Sequence, residues 1–135
     1  MPLQYSVAVR NARLDVVEST IGATAVLRIR TGTQPATCAT ADSGTVLATL
    51  TLPSDWLAAA SGGVKSLSGS WADASADATG TAAHYRIYDS SGVTCHEQGE
   101  CTLTGGGGQM ILDSLSFTAG QAFTVVSYDK TAGNA

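Results

Sequence analysis

The stretch Ile21-Gly22-Ala23-Thr24-Ala25-Val26-Leu27-Arg28-Ile29-Arg30 decides the fold, because the hydrophobic period changes inside it. Before Gly22, apolar residues recur at helical spacing. After Thr24 they fall at every second position, with Ala25, Leu27 and Ile29 alternating with Val26, Arg28 and Arg30. A period near 3.6 belongs to a helix and a period of two to a half-buried strand, so the chain passes from one to the other at a glycine. Upstream, the spacing predicts a helix over 3–21, stopped by Gly22, the residue type favoured just past a helix C-terminus. Projected at about 100° per residue, Tyr5, Ala8, Val9, Ala12 and Val16 form one apolar stripe, and Val7, Leu14, Val17 and Ile21 a second. Asn11, Asp15 and Glu18 lie on one edge between them, Arg10 and Arg13 on the other. Two stripes ask for neighbours on two sides: either a second subunit covers one, or the helix lies in a groove of its own sheet.

Downstream the period of two persists. Val46, Ala48 and Leu50 alternate with Leu47, Thr49 and Thr51, while Tyr85 and Ile87 oppose His84, Arg86 and Tyr88. Further strands are expected over 64–72, 93–98, 100–104, 109–117 and 121–128. Short strands separated by Gly, Ser, Asp and Asn turns, with no repeating strand-helix alternation, predict an all-β fold. The expected architecture is an antiparallel β-sandwich or barrel over 23–135, a single domain, preceded by the helical segment 1–22. Within it, Pro53 to Gly62 reads as a helical turn capped by Ser54, with Asp55 at its positive end and Gly62 as its stop. Residues 72–81, which include Asp73 and Asp77, read as an exposed loop, and Gly105 to Gly108 as a glycine-rich hairpin connection.

Composition narrows the function. The 135 residues include 17 Thr, 14 Ser and 15 Gly but only two Phe, two Trp, four Tyr and two Met, which implies a thin core and stability that leans on assembly. The net charge is −4, with seven scattered basic residues, and so offers no footprint for nucleic acid. No apolar run approaches the roughly 18 residues of a membrane span, and Met1-Pro2-Leu3-Gln4 lacks the basic-then-apolar pattern of an export signal. Neither membrane nor nucleic acid is expected as a partner, and the cytoplasm is the expected place of synthesis.

The residues that could carry chemistry are sparse. Cys38, Cys95, Cys101 and His96 are soft ligands, yet no cysteine pair has the spacing of a zinc knuckle, so no metal is expected. An odd cysteine count without an export signal favours reduced thiols, although Cys95 and Cys101 would face each other if a hairpin turned at Gly99. Asp73 and Asp77 do not match a calcium loop. Gly62-Gly63-Val64-Lys65-Ser66 lacks the first glycine of a phosphate-binding loop, and its lysine does not follow a glycine. His84 and His96 stand among many serines, but no Gly-x-Ser-x-Gly elbow exists, so neither a catalytic residue nor a cofactor site is expected. His84, Arg86 and Tyr88 read as a polar sheet surface or interface patch. Trp56 and Trp71 discriminate between uses: exposed they would stack on sugar, buried they belong to the core.

Several strings taken together resemble a family. They are Leu3-Gln4-Tyr5-Ser6, Val9-Arg10-Asn11-Ala12-Arg13-Leu14-Asp15, Leu27-Arg28-Ile29 before Thr31-Gly32, Leu52-Pro53-Ser54-Asp55-Trp56, Tyr85-Arg86-Ile87-Tyr88-Asp89 and Thr131-Ala132-Gly133-Asn134-Ala135. The chain resembles the head cement (decoration) proteins of bacteriophages, in particular that of the Bordetella short-tailed phage group. That resemblance implies a jelly-roll-like β-sandwich, a homodimer on the outer head surface of the virion, and the major capsid protein as partner. It carries over no catalytic residue, and the three cysteines match no motif of the family. The competing expectation is a phage tail or fibre adhesin with a β-sandwich binding surface.

Overall fold

The computed structural model describes residues 3–132; the closing Gly133-Asn134-Ala135 of the last string above lies outside them, as do Met1 and Pro2. The described residues form a mostly β structure with one helix, α1 (Val7–Ile21), and strands β1 (Val26–Arg30), β2 (Val46–Thr51), β3 (Val64–Ser66), β4 (Ala72–Asp73), β5 (Gly80–Thr81), β6 (His84–Tyr88), β7 (Cys95–Thr102), β8 (Met110–Leu112), β9 (Ser116–Phe117) and β10 (Phe123–Thr131). The helix starts later than the periodicity suggests because Ser6 caps it: its hydroxyl accepts from the Val9 amide at 3.2 Å. It stops where expected, with Gly22 at φ 93° donating its N–H to the Glu18 carbonyl at 2.8 Å.

Eight strands make one curled sheet in the order β2-β1-β6-β7-β8-β10-β3, with β4 also paired to β10; β5 and β9 form a separate two-stranded ribbon. The sheet is mixed rather than purely antiparallel, because β7 and β8 run parallel, Cys101 opposite Met110 and Thr102 opposite Ile111. The glycine-rich 105–108 segment is therefore no hairpin. Gly105 and Gly107 have positive φ, and a Cβ on Gly106 or Gly108 would lie 2.6–2.7 Å from Thr102, so the chain coils against its own strand and enters β8 in the same direction. The curl brings the far side of the sheet back toward β2, whose Leu47 carbonyl accepts the Asp77 amide at 2.7 Å. Residues from β1, β2 and β6 consequently share one core with residues from β8 and β10.

Three expected elements differ. Pro53 to Gly62 is not helical, because Trp56 and Leu57 sink into the core and the backbone bonds across to the next segment: Ala58 N–H to the Ser66 carbonyl at 2.8 Å, Ser68 N–H to the Trp56 carbonyl at 2.9 Å. The stop at Gly62 is instead a two-residue turn, Gly62-Gly63, both at positive φ, with Ser61 and Val64 exchanging backbone bonds. The strands expected over 93–98 and 100–104 are one strand, β7, continuous through Gly99. Gly99 serves packing rather than turning: it pairs with Tyr85, whose ring would lie 2.6–2.8 Å from any Cβ there. The 72–81 loop carries β4 and β5 and sends Ala76 into the core.

The core is built on aromatic rings. Trp56, Trp71, Tyr128 and Tyr85 stand in a chain with centroids 5.9, 5.3 and 5.5 Å apart, and Phe117 meets Phe123 at 5.0 Å. Each such pair adds about 0.5–1.5 kcal/mol beyond area burial. Both indole N–H groups are satisfied, by the Gly22 carbonyl at 3.0 Å and the Ser68 carbonyl at 3.2 Å.

Candidate functional site

Helix α1 docks by its polar edge as well as by an apolar one. Leu14 and Ile21 are buried and Val17 packs on the core, but the neighbouring contacts are ionic. Lys65, buried on β3, donates to Asp15 at 2.7 Å and to the Ala58 carbonyl at 2.9 Å, and lies 3.3 Å from Glu18. Burial pulls the Lys65 ammonium down, yet the two carboxylates outweigh it and leave the group above its ordinary value. Asn11 accepts from the Gly63 amide at 2.8 Å, Asp15 from the Ala60 amide at 3.0 Å, and Arg10 Nε donates to the Ala132 carbonyl at 2.9 Å. The Gly62-Lys65 string is thus the hairpin that receives the helix.

With that edge turned inward, the first apolar stripe points out. Tyr5, Val9 and Val16 are 39%, 43% and 58% exposed, Ala8 and Ala12 between them are exposed, and Val7 of the second stripe joins them. Within α1, Val9, Ala12 and Val16 are spaced i, i+3, i+7, the pattern of a helix face that packs on something, and Tyr5 lies just before the cap. Both tryptophans are fully inside, at 0% and 1%.

His84, Arg86 and Tyr88 are not an outer polar patch: all three are buried beneath the segment joining β1 to β2. Arg86 reaches into that segment and donates to the carbonyls of Thr40 (3.1 Å), Thr37 (3.2 Å) and Cys38 (2.9 Å) and to Asp42 (2.5 Å). Asp42 also accepts from Arg30 at 3.0 Å and from Tyr88 at 2.7 Å. Burial pushes the Asp42 carboxyl up, but Tyr88 and the two guanidinium groups outweigh it and hold it below its usual range. His84 bonds the Gly32 carbonyl through Nδ1 at 2.9 Å while its Nε2 is buried without a partner; burial and the nearby arginines keep the ring neutral to lower pH than usual.

Beside this cluster, Cys38, Asp42, Arg86 and Cys95 line an open cleft of about 540 Å³. Cys95 Sγ donates there to the Glu97 carbonyl at 3.3 Å, and burial, with Cys38 close by, pushes the Cys95 thiol up to about 11. Cys101 is buried six positions further along the same strand, so Cys95 and Cys101 do not face each other. His96 is exposed on β7; Asp73 caps a turn by accepting from the Ser75 amide and Asp77 accepts from the Thr49 hydroxyl on β2, both at 3.0 Å.

A second cleft, of about 520 Å³, holds a group the sequence did not suggest. Beyond the end of short β8, side chains of β6, β7 and β10 meet: Tyr85 donates to Tyr128 at 3.3 Å, Tyr128 to Glu97 at 2.5 Å, and Lys130 contacts both Tyr128 and Glu97. Burial raises the Tyr85 phenol to about 12 and draws the Lys130 ammonium down toward about 7, while the Glu97 carboxylate beside Lys130 opposes the latter. Phenols held protonated act as donors, and the carboxylate and ammonium satisfy each other; the cluster ties three strands together.

Compared with family models, curated proteins and solved structures, the chain gives no match.

Proposed function

We propose that this chain is a structural virion protein that binds the outside of a phage head and stabilises the lattice of its major capsid protein, acting as a homodimer without catalytic chemistry. The observation that carries the reading is the outward apolar stripe of α1, held rigid from behind by Lys65, Asn11 and Arg10. A preorganised face loses little entropy on association, which suits a module whose work is binding. The resemblance of the sequence strings to head cement proteins supplies the partner. The curled sheet, closed on one core, is read here as a variant of the jelly-roll sandwich in which β7 and β8 have become parallel neighbours. Burial of Trp56 and Trp71 removes the sugar-stacking surface that a tail or fibre adhesin would draw on.

The test is stoichiometry. Quantitative mass spectrometry of purified virions should find hundreds of copies per particle, and light scattering of the isolated protein should give a dimer. A handful of copies per particle would place the protein in the tail and overturn the reading.

A further inference from the structure

We propose that Cys38 and Cys95 are a disulfide-forming pair whose closure cross-links the β1–β2 connection to the start of β7. The two residues are distant in sequence, yet both line the same open cleft beside Arg86, with the Cys38 side chain near enough to Cys95 to act on its thiol. The cleft reaches solvent, so a small oxidant can enter; Cys101, by contrast, is buried on the other side of Gly99. The β1–β2 connection is already held in place by Arg86, whose guanidinium donates to the Cys38 carbonyl at 2.9 Å and to three further acceptors. The partner sulfur sits on a strand fixed by pairing of Cys95 with Tyr88. The inference concerns this chain's own chemistry and stands independently of the function proposed above.

The oxidant is a peroxide. One of the two thiols ionises, and its thiolate displaces hydroxide from hydrogen peroxide, giving a sulfenic acid. The other thiol then attacks that sulfur, the S–S bond forms as the S–O bond breaks, its proton leaves with the sulfenic oxygen as water, and the hydroxide takes up the proton the first thiol gave up on ionising. Two thiols lose two electrons and the peroxide becomes two waters.

The experiment treats the folded, full-length protein with hydrogen peroxide and blocks the remaining thiols. Thiols counted after denaturation should fall from three to one. Proteolysis after Glu97 and Glu100 separates Cys95 from Cys101, and the linked peptide should contain Cys38 and Cys95. Oxidation in denaturant is the control, since an unfolded chain favours the short Cys95–Cys101 loop and the native fold should reverse that preference. The melting temperature should rise on oxidation and return on reduction, because a cross-link restricts the unfolded chain. Cys38→Ser should abolish the intramolecular link, whereas Cys101→Ala should leave it. A native link through Cys101, a link between molecules, or oxygen uptake without a cross-link would each overturn the proposal.

Discussion

Replacing Arg86 with methionine removes the guanidinium and keeps most of the side-chain volume, and its cost follows from the contacts. Arg86 makes four hydrogen bonds, three to carbonyls of the β1–β2 connection and one to Asp42, while being only 1% exposed. At about 1.5–3 kcal/mol per bond to a charged group, the gross sum is roughly 6–12 kcal/mol. Much of that is recovered in the variant: no guanidinium has to be desolvated, and the freed carbonyls rehydrate in an exposed segment. Asp42, whose side chain is 37% exposed, also keeps Arg30 and Tyr88. Breaking a buried ion pair from one side costs about 3–5 kcal/mol, and the exposure of Asp42 puts Arg86→Met near the low end, about 3 kcal/mol. For a domain of this length that corresponds to a fall of roughly 10 °C in melting temperature. Urea denaturation gives the energy, and amide exchange should show residues 37–42 losing protection ahead of the sheet. Arg86→Lys should recover less than half, because an ammonium cannot span four acceptors. A loss under about 1 kcal/mol with unchanged exchange in 37–42 would refute the reasoning, since surface contacts cost that little.

His84 gives the pH dependence. Its folded pKa is lowered from 6.5, so below pH 6.5 the unfolded chain takes up a proton that the folded one refuses; stability should therefore fall as pH drops from 7 through that window, and His84→Asn should flatten the slope. Lys65→Met should cost about 2 kcal/mol and loosen α1 specifically, read as faster amide exchange over the helix than over β1, β2 and β6, because it leaves Asp15 and Glu18 without their shared cation. Trp71→Ala should cost about 3–5 kcal/mol in denaturant melts, since it opens a cavity between Trp56 and Tyr128.

Local periodicity carried far in this chain. The change of period at Gly22, strands β1, β2 and β6, and the existence of α1 all follow from residue spacing, because each element buries one side against the core. Pairings across long separations did not follow. Nothing local says that the β1–β2 connection lies over β6, and so His84, Arg86 and Tyr88 looked exposed although Gly32 meets the first and Asp42 the other two. One signal was present: two arginines in strands, Arg30 and Arg86, call for a carboxylate when buried, and Asp42 sits in the turn before β2. Glycine misled twice for one reason. Gly99 and Gly108 make room for neighbouring side chains, and sequence alone does not distinguish a glycine needed for space from one needed for a turn. The polar edge of α1 was visible, but its use for docking depended on Lys65, forty-seven or more positions away.

The most direct test of a lattice clamp is the temperature at which heads release their DNA. Heads depleted of this protein should keep their shell geometry and release DNA at a lower temperature, and adding back purified protein should restore the higher one. Binding that favours the assembled lattice over separated subunits stabilises the lattice by that difference, and a dimer gains about 10²- to 10⁴-fold from its second contact. Val16→Asp, on the exposed face of α1, should fold normally and fail to restore the release temperature. Equal release temperatures with and without the wild-type protein, or full restoration by Val16→Asp, would contradict the account.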